Sequence, residues 1–152
     1  MYVCDVVSYF SKQNATVMNR KTTWLAIAAS VVASMLFGFI WYGVLFQDQW
    51  AAENGFTIDG EKMFRNGAEV PMSATPMIVN TVAMAVYALV MNWLLQKMTI
   101  STWKSGAIIG AGIGLMMVFG VLTGNLFAIR PMNLTFIDGA YSFILFVLIG
   151  AI

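Results

Sequence analysis

From Trp24 onward the chain consists of long uncharged apolar runs separated by short polar stretches. The first run, Trp24 to Phe46, reads WLAIAASVVASMLFGFIWYGVLF and contains no charge. At about 1.5 Å per residue, a helix of this length covers the roughly 30 Å hydrocarbon core of a bilayer. A second run covers about 76–95 and opens on Pro76, where a missing N–H does no harm in a first turn. The third covers about 105–129 and the fourth about 136–152. The fourth is the shortest, carries Asp138 near its start and stops without a polar tail. Backbone groups in lipid must be satisfied within their own segment, so these runs predict helices. None shows the alternation of a transmembrane barrel strand. The first run is also too long for the apolar part of a signal peptide, and no small-residue cleavage pattern follows it. The pattern therefore predicts an all-α membrane protein, a four-transmembrane-helix bundle in which short connections make neighbours antiparallel.

The polar stretches add organisation. Residues 1–23 form a polar N-terminal segment, and 1–17 match nothing that follows. Met18 opens a natural start, MNRKTTW, so 1–17 reads as an upstream start or an appended extension. The membrane domain is 24–152, and its one sizeable loop is 47–75. Within that loop QDQWAAENGF predicts a short interfacial helix, with Trp50 and Phe56 turned toward lipid. The turn signals Asp59-Gly60 and Asn66-Gly67 then allow a small hairpin, an irregular lid or a linker. Lys12, Arg20, Lys21, Lys97 and Lys104 fall on one side of the four spans, against Lys62, Arg65 and Arg130 on the other. By the positive-inside rule this favours N-in/C-in, with the 47–75 loop extracytoplasmic. Trp24, Trp41, Tyr42, Trp50, Trp93 and Trp103 lie near the expected interfaces, where amphipathic rings are comfortable.

Composition narrows the chemistry. Apolar residues make up 60% of the chain and charged residues 10%, against about 25% charged in a soluble domain. Mean hydropathy is +0.79. A chain this small cannot hide so much apolar surface in its own core, so lipid is the expected solvent. A net charge of +1 without a basic stripe speaks against nucleic acid as a partner. Histidine is absent, which removes the usual metal ligand, haem ligand and general base near neutral pH. The single cysteine, Cys4, allows neither an internal disulfide nor a CxxC pair. No catalytic or nucleotide-binding motif is present, so no catalytic residue, metal or cofactor is expected.

Two groups of residues stand out. Gly106, Gly110 and Gly114 recur at four-residue spacing and share one helix face, where they admit another backbone. Ala26, Ser30, Ser34 and Gly38 form a matching small-residue stripe on the first span. Packing inside the bundle is the plainer expectation for both stripes, and a dimer interface is the sharper one. The second group is polar. Asn80, Asn125, Arg130, Asp138 and Tyr141 would all fall in the outer half of the bilayer. Intramembrane carboxylates are costly and are functional candidates by default. Asp138 would meet water, the helix N-terminus or Arg130, or would face inward and carry protons. For the amides, hydrogen bonds between helices are the plainer role, and a small-molecule or lipid-headgroup site the sharper one.

The Trp24–Phe46 run followed by Trp50, the glycine-rich third span, Thr123, Asn125, Phe127, Arg130, and the stretch from Gly139-Ala140-Tyr141 to Gly150-Ala151-Ile152 carry a resemblance. From about Asn19 to its end the chain resembles the bacterial integral membrane proteins grouped as domain of unknown function 1761. The resemblance implies a bacterial cytoplasmic (inner) membrane location and brings no catalytic residue with it. The expectation is a non-enzymatic structural or accessory subunit in the lipid bilayer, self-associating as a homo-oligomer or built into a larger membrane complex. The alternatives are a small oligomeric transporter or channel and, more weakly, a membrane enzyme using Asp138, Tyr141 and Arg130 on a lipid-like substrate.

Overall fold

The computed structural model describes residues 20–60, 62–71 and 73–152, with side chains from residue 23. Residues 1–19, including Cys4, lie outside the described residues. Helix α1 covers Arg20–Ile40 and passes into a π-helical turn at Trp41–Leu45. The short helix α2 follows at Gln47–Glu53, then strands β1 (Phe56–Asp59), β2 (Lys62–Arg65) and β3 (Ala68–Val70). Three long helices complete the chain: α3 (Thr75–Lys97), α4 (Trp103–Phe127) and α5 (Met132–Ala151). Four helices, Thr23–Leu45, Thr75–Lys97, Trp103–Phe127 and Met132–Ala151, are long and apolar enough to span a membrane.

The predicted spans hold, with one shift that matters. The fourth helix begins at Met132 rather than near 136, directly after Pro131. That start places Asp138 nearly two turns inside the helix instead of at its mouth. The loop also takes on regular structure. The short helix expected over QDQWAAENGF forms as α2, and the two turn signals fold the rest into an antiparallel meander β1-β2-β3. Asn66 and Gly67 connect β2 to β3, pairing Arg65 with Ala68, and both have positive φ (53° and 78°). A two-residue turn of this type needs both central residues there, which is why Asn-Gly serves.

Burial is unequal among the spans. In the fourth, 44% of the most apolar window is buried, against 11 to 17% in the other three. Helix α5 is therefore the centre of the bundle, antiparallel to α4 along one side and to α1 on another. Ile27 of α1, Met84, Ala88 and Met91 of α3, and Leu145, Phe146 and Ile149 of α5 form the core. The Tyr87 ring packs 5.2 Å from that of Phe146.

Helices α4 and α5 touch through backbone. A Cβ on Gly106 or Gly110 would overlap the carbonyl oxygen of Gly150 or Phe146, and one on Gly114 would lie 2.9 Å from that of Phe143. The partner of the glycine face is thus α5, not the small-residue stripe of α1. Of that stripe Ser30 and Ser34 are buried, and Gly38 leaves room for Tyr141, whose Oη would lie 3.1 Å from an added Cβ. Without a hydrophobic gain between helices in lipid, such close approach is a main source of association energy.

Candidate functional site

The site grows from the end of the first span. In the π-helical turn the Phe46 N–H bonds to the carbonyl of Trp41 at 2.9 Å, one residue further back than in an α-helix. The wider turn changes the helical register, and π-bulges of this kind are frequent at functional sites. Here it turns the consecutive residues Trp41 and Tyr42 both toward α5. The Trp41 indole Nε1 donates to the carbonyl of Ile137 at 3.2 Å, and Tyr42 Oη donates to Asp138 Oδ1 at 2.9 Å. Ser142 Oγ donates to the backbone carbonyl of Asp138 at 2.8 Å.

Rings surround this pair. Tyr42 lies 4.8 Å from Tyr141, which stacks on Phe37 at 5.4 Å with only 3° between planes. Trp41 packs 5.4 Å from Phe37 and 4.8 Å from Phe46. Trp50 of α2 meets Tyr42 edge-on at 5.7 Å and Phe56 of β1 at 6.2 Å, and the Arg65 guanidinium lies 5.4 Å over the Phe56 ring. An unbroken series of ring contacts therefore runs from Phe37 in the last turn of α1 to the sheet. Offset and edge-on pairs at these distances add roughly 0.5–1.5 kcal/mol each beyond area burial.

Two polar links sit at the edge of this cluster. Asn133 Nδ2 donates to Glu53 Oε1 at 3.0 Å, and Arg130 Nη1 donates to Asn54 Oδ1 at 3.4 Å. Both tie the end of α2 to the start of α5. A groove between them is lined by Phe46, Gln49, Glu53, Asn133, Phe136 and Ile137.

The structure brings some of the five polar residues together and separates others. Asp138 and Tyr141 share the aromatic cluster. Arg130 bonds Asn54 instead of pairing with Asp138, although it stays within electrostatic reach of that carboxyl. Asn125 Nδ2 donates to Thr135 Oγ1 at 3.1 Å, bridging α4 to α5. Asn80 lies elsewhere, its Nδ2 3.5 Å from the Met35 sulfur between α3 and α1. Tyr42, Trp41, Trp50, Glu53 and Asn133 are the participants that spacing did not single out. The sequence marked Trp41, Tyr42 and Trp50 only as aromatic residues near an interface and did not mark Glu53 or Asn133 at all, and the π-turn that changes the register is not readable from the stretch FIWYGVLF.

Chemically the site is a carboxyl and a phenol in one hydrogen bond, enclosed by rings. Among the described residues no three His, Cys, Asp or Glu side chains converge to hold a metal ion. The one ion pair among them, Lys62 with Glu69 at 3.2 Å, is exposed on the sheet.

Comparison with known proteins gives one match: the family described as Protein of unknown function (DUF1761) covers residues 25–152. No curated protein and no solved structure matches the chain.

Proposed function

We propose that this chain, which belongs to the DUF1761 family, works as a non-enzymatic subunit within a membrane. The observation that carries the reading is where the polar side chains go. Asp138, Asn125, Arg130 and Asn133 each bond to a partner in the same chain, to Tyr42, Thr135, Asn54 and Glu53 respectively. Two of the four bonds join the π-turn and α2 to α5, and the Arg130–Asn54 bond ties the residue after α2 to the connection leading into α5. In lipid, paired polar groups of this kind hold helices together at about 1–2 kcal/mol each at most. Polar groups used this way make a rigid platform, while the outward faces of α3 and α4 stay apolar. On α4 Ile108, Met116 and Phe119 are exposed, and Gly112, Gly120 and Gly124 have open space where a Cβ would go. That face suits another membrane helix, including one from a second copy of the chain. The N-in/C-in orientation belongs to the same proposal and places α2 and the sheet outside.

The test is site-specific photo-crosslinking in native membranes from position 116, with position 146 in the core as control. A protein adduct at 116 that is absent at 146 is expected; lipid adducts alone would overturn the subunit reading. A transporter is the second reading, favoured by a half-buried carboxyl nearly two turns inside a span. Proteoliposomes loaded with a pH-sensitive dye separate the two. The subunit reading expects no proton flux above empty liposomes, whereas a flux that Asp138→Asn abolishes would establish the transporter.

A further inference from the structure

At the end of the bundle that carries the α3–α4 turn, α1, α3 and α5 do not close on one another. They leave a cavity of about 320 Å³, inside the range of roughly 300–1,000 Å³ common for small-molecule sites. Small side chains make the space: Ala26 and Ser30 on α1, Ala88 on α3 and Gly150 on α5 line it. The floor belongs to the core, since Ser30, Ala88, Met91 and Ile149 are all buried.

Among the described residues the lining mixes apolar side chains with neutral polar ones. Met91 and Ile149 supply apolar surface, while Ser30, Asn92 and Gln96 supply a hydroxyl and two amides. No described lining residue is Asp, Glu, Lys or Arg. Gln96 Nε2 donates to Asn92 Oδ1 at 3.0 Å, a bond that uses neither the Asn92 N–H groups nor the Gln96 carbonyl. Gln96 is exposed in the last turn of α3, beside Lys97, whereas Asn92 lies one turn deeper and is partly buried, where an amide costs free energy until a partner meets it. Trp103, largely exposed, stands at the rim, where an indole suits the headgroup level. Lys104 stays at that rim, its Nζ 5.7 Å over the Trp103 ring. A phosphate head would have to remain out there, whereas the polar groups inside are neutral.

We infer that this cavity binds an uncharged amphiphile: a single-chain lipid whose head carries hydroxyl or carbonyl groups. The head sits on Ser30, Asn92 and Gln96, and the start of the chain lies along Met91 and Ile149. The site is at the opposite end of the bundle from the Tyr42–Asp138 pair and stands independently of the subunit reading.

Native mass spectrometry of the full chain, titrated with mono-oleoylglycerol in detergent, tests it. A saturable one-to-one adduct is expected. Ala26→Leu fills the space and Asn92→Leu removes the amide, and each should weaken binding by about tenfold, the effect of one lost hydrogen bond or its equivalent in contact. Circular dichroism checks that each variant stays helical; should one fail to fold, the other decides. Thr123→Leu, on the exposed face of α4, should bind as the unaltered chain does. Absence of an adduct, or an adduct indifferent to both variants, overturns the site. Displacement of the monoglyceride by equimolar phosphatidylglycerol overturns it too, because the recognised chemistry would then be an anionic headgroup at the lysine rim.

Discussion

At the scale of single residues, the Tyr42–Asp138 bond has the clearest energetic consequence. Tyr42→Phe leaves a half-buried carboxyl without its donor and is expected to destabilise the protein by about 1–2 kcal/mol. Unfolding in mixed detergent micelles measures this. Asp138→Asn keeps a carbonyl oxygen for the same phenol, so its cost should be smaller; an equal or larger loss would show that the charge matters beyond the bond. Ser34 is the opposite case. Its Oγ is buried and has no hydrogen-bond partner, with the residue only 1% exposed. An unmet buried hydroxyl is a cost that alanine removes, so Ser34→Ala should be neutral or stabilising by up to about 1 kcal/mol. Asp138 was visible in the sequence as the one acid inside a span. Its phenolic partner was not, because Tyr42 reaches α5 only through the π-turn, a register change that no spacing rule announces.

Among the elements, helix ends and helix contacts decide the architecture. Helices α3 and α4 end alike. Ile100 N–H bonds the Leu95 carbonyl and Thr99 N–H that of Gln96, and Arg130 N–H bonds the Asn125 carbonyl and Ile129 N–H that of Leu126. These pairs of bonds satisfy orphan carbonyls and require a left-handed residue after the cap, a place usually taken by glycine. Here Thr99 and Ile129 hold it, with φ of 54° and 53°. Ile129 is 92% exposed and so contributes little packing in return. Ile129→Gly should therefore raise stability by about 1 kcal/mol, read as a higher thermal midpoint. The glycine face makes a stronger prediction. Gly110→Leu must push α4 off the Phe146 carbonyl and should cost about 3 kcal/mol or more. Gly124→Leu, on the same helix where nothing lies nearby, should change stability by less than about 0.5 kcal/mol. Similar losses from both would mean that the far end of α4 is also covered. The four-residue spacing of Gly106, Gly110 and Gly114 was legible from the start. Their partner was not, because a groove for a backbone fits any helix that presents a smooth face.

For the whole molecule, the expected topology is four crossings with both termini on one side. Cysteines introduced at Gly60 in the β1–β2 turn and Thr99 in the α3–α4 turn should be labelled by an impermeant thiol reagent from opposite sides of the membrane. Labelling from one side would defeat the four-span arrangement. The apolar runs by themselves determined this much: four long helices and a lipid solvent follow from uncharged length and the need to satisfy every backbone group internally, whereas the start of the fourth helix did not. The Asn66-Gly67 dipeptide likewise determined a turn, because only a few residues accept two successive positive φ angles. Tertiary structure alone decided the rest. In lipid the apolar faces of a span have no preference between tail and neighbour, so hydropathy cannot say which helix is central. Backbone fit made it α5, the span that looked weakest for being short and charged. Its early start at Met132 carried Asp138 inward, and the π-turn brought Tyr42 to meet it. Asp138, Asn125 and Asn133 acquired partners only when those elements met.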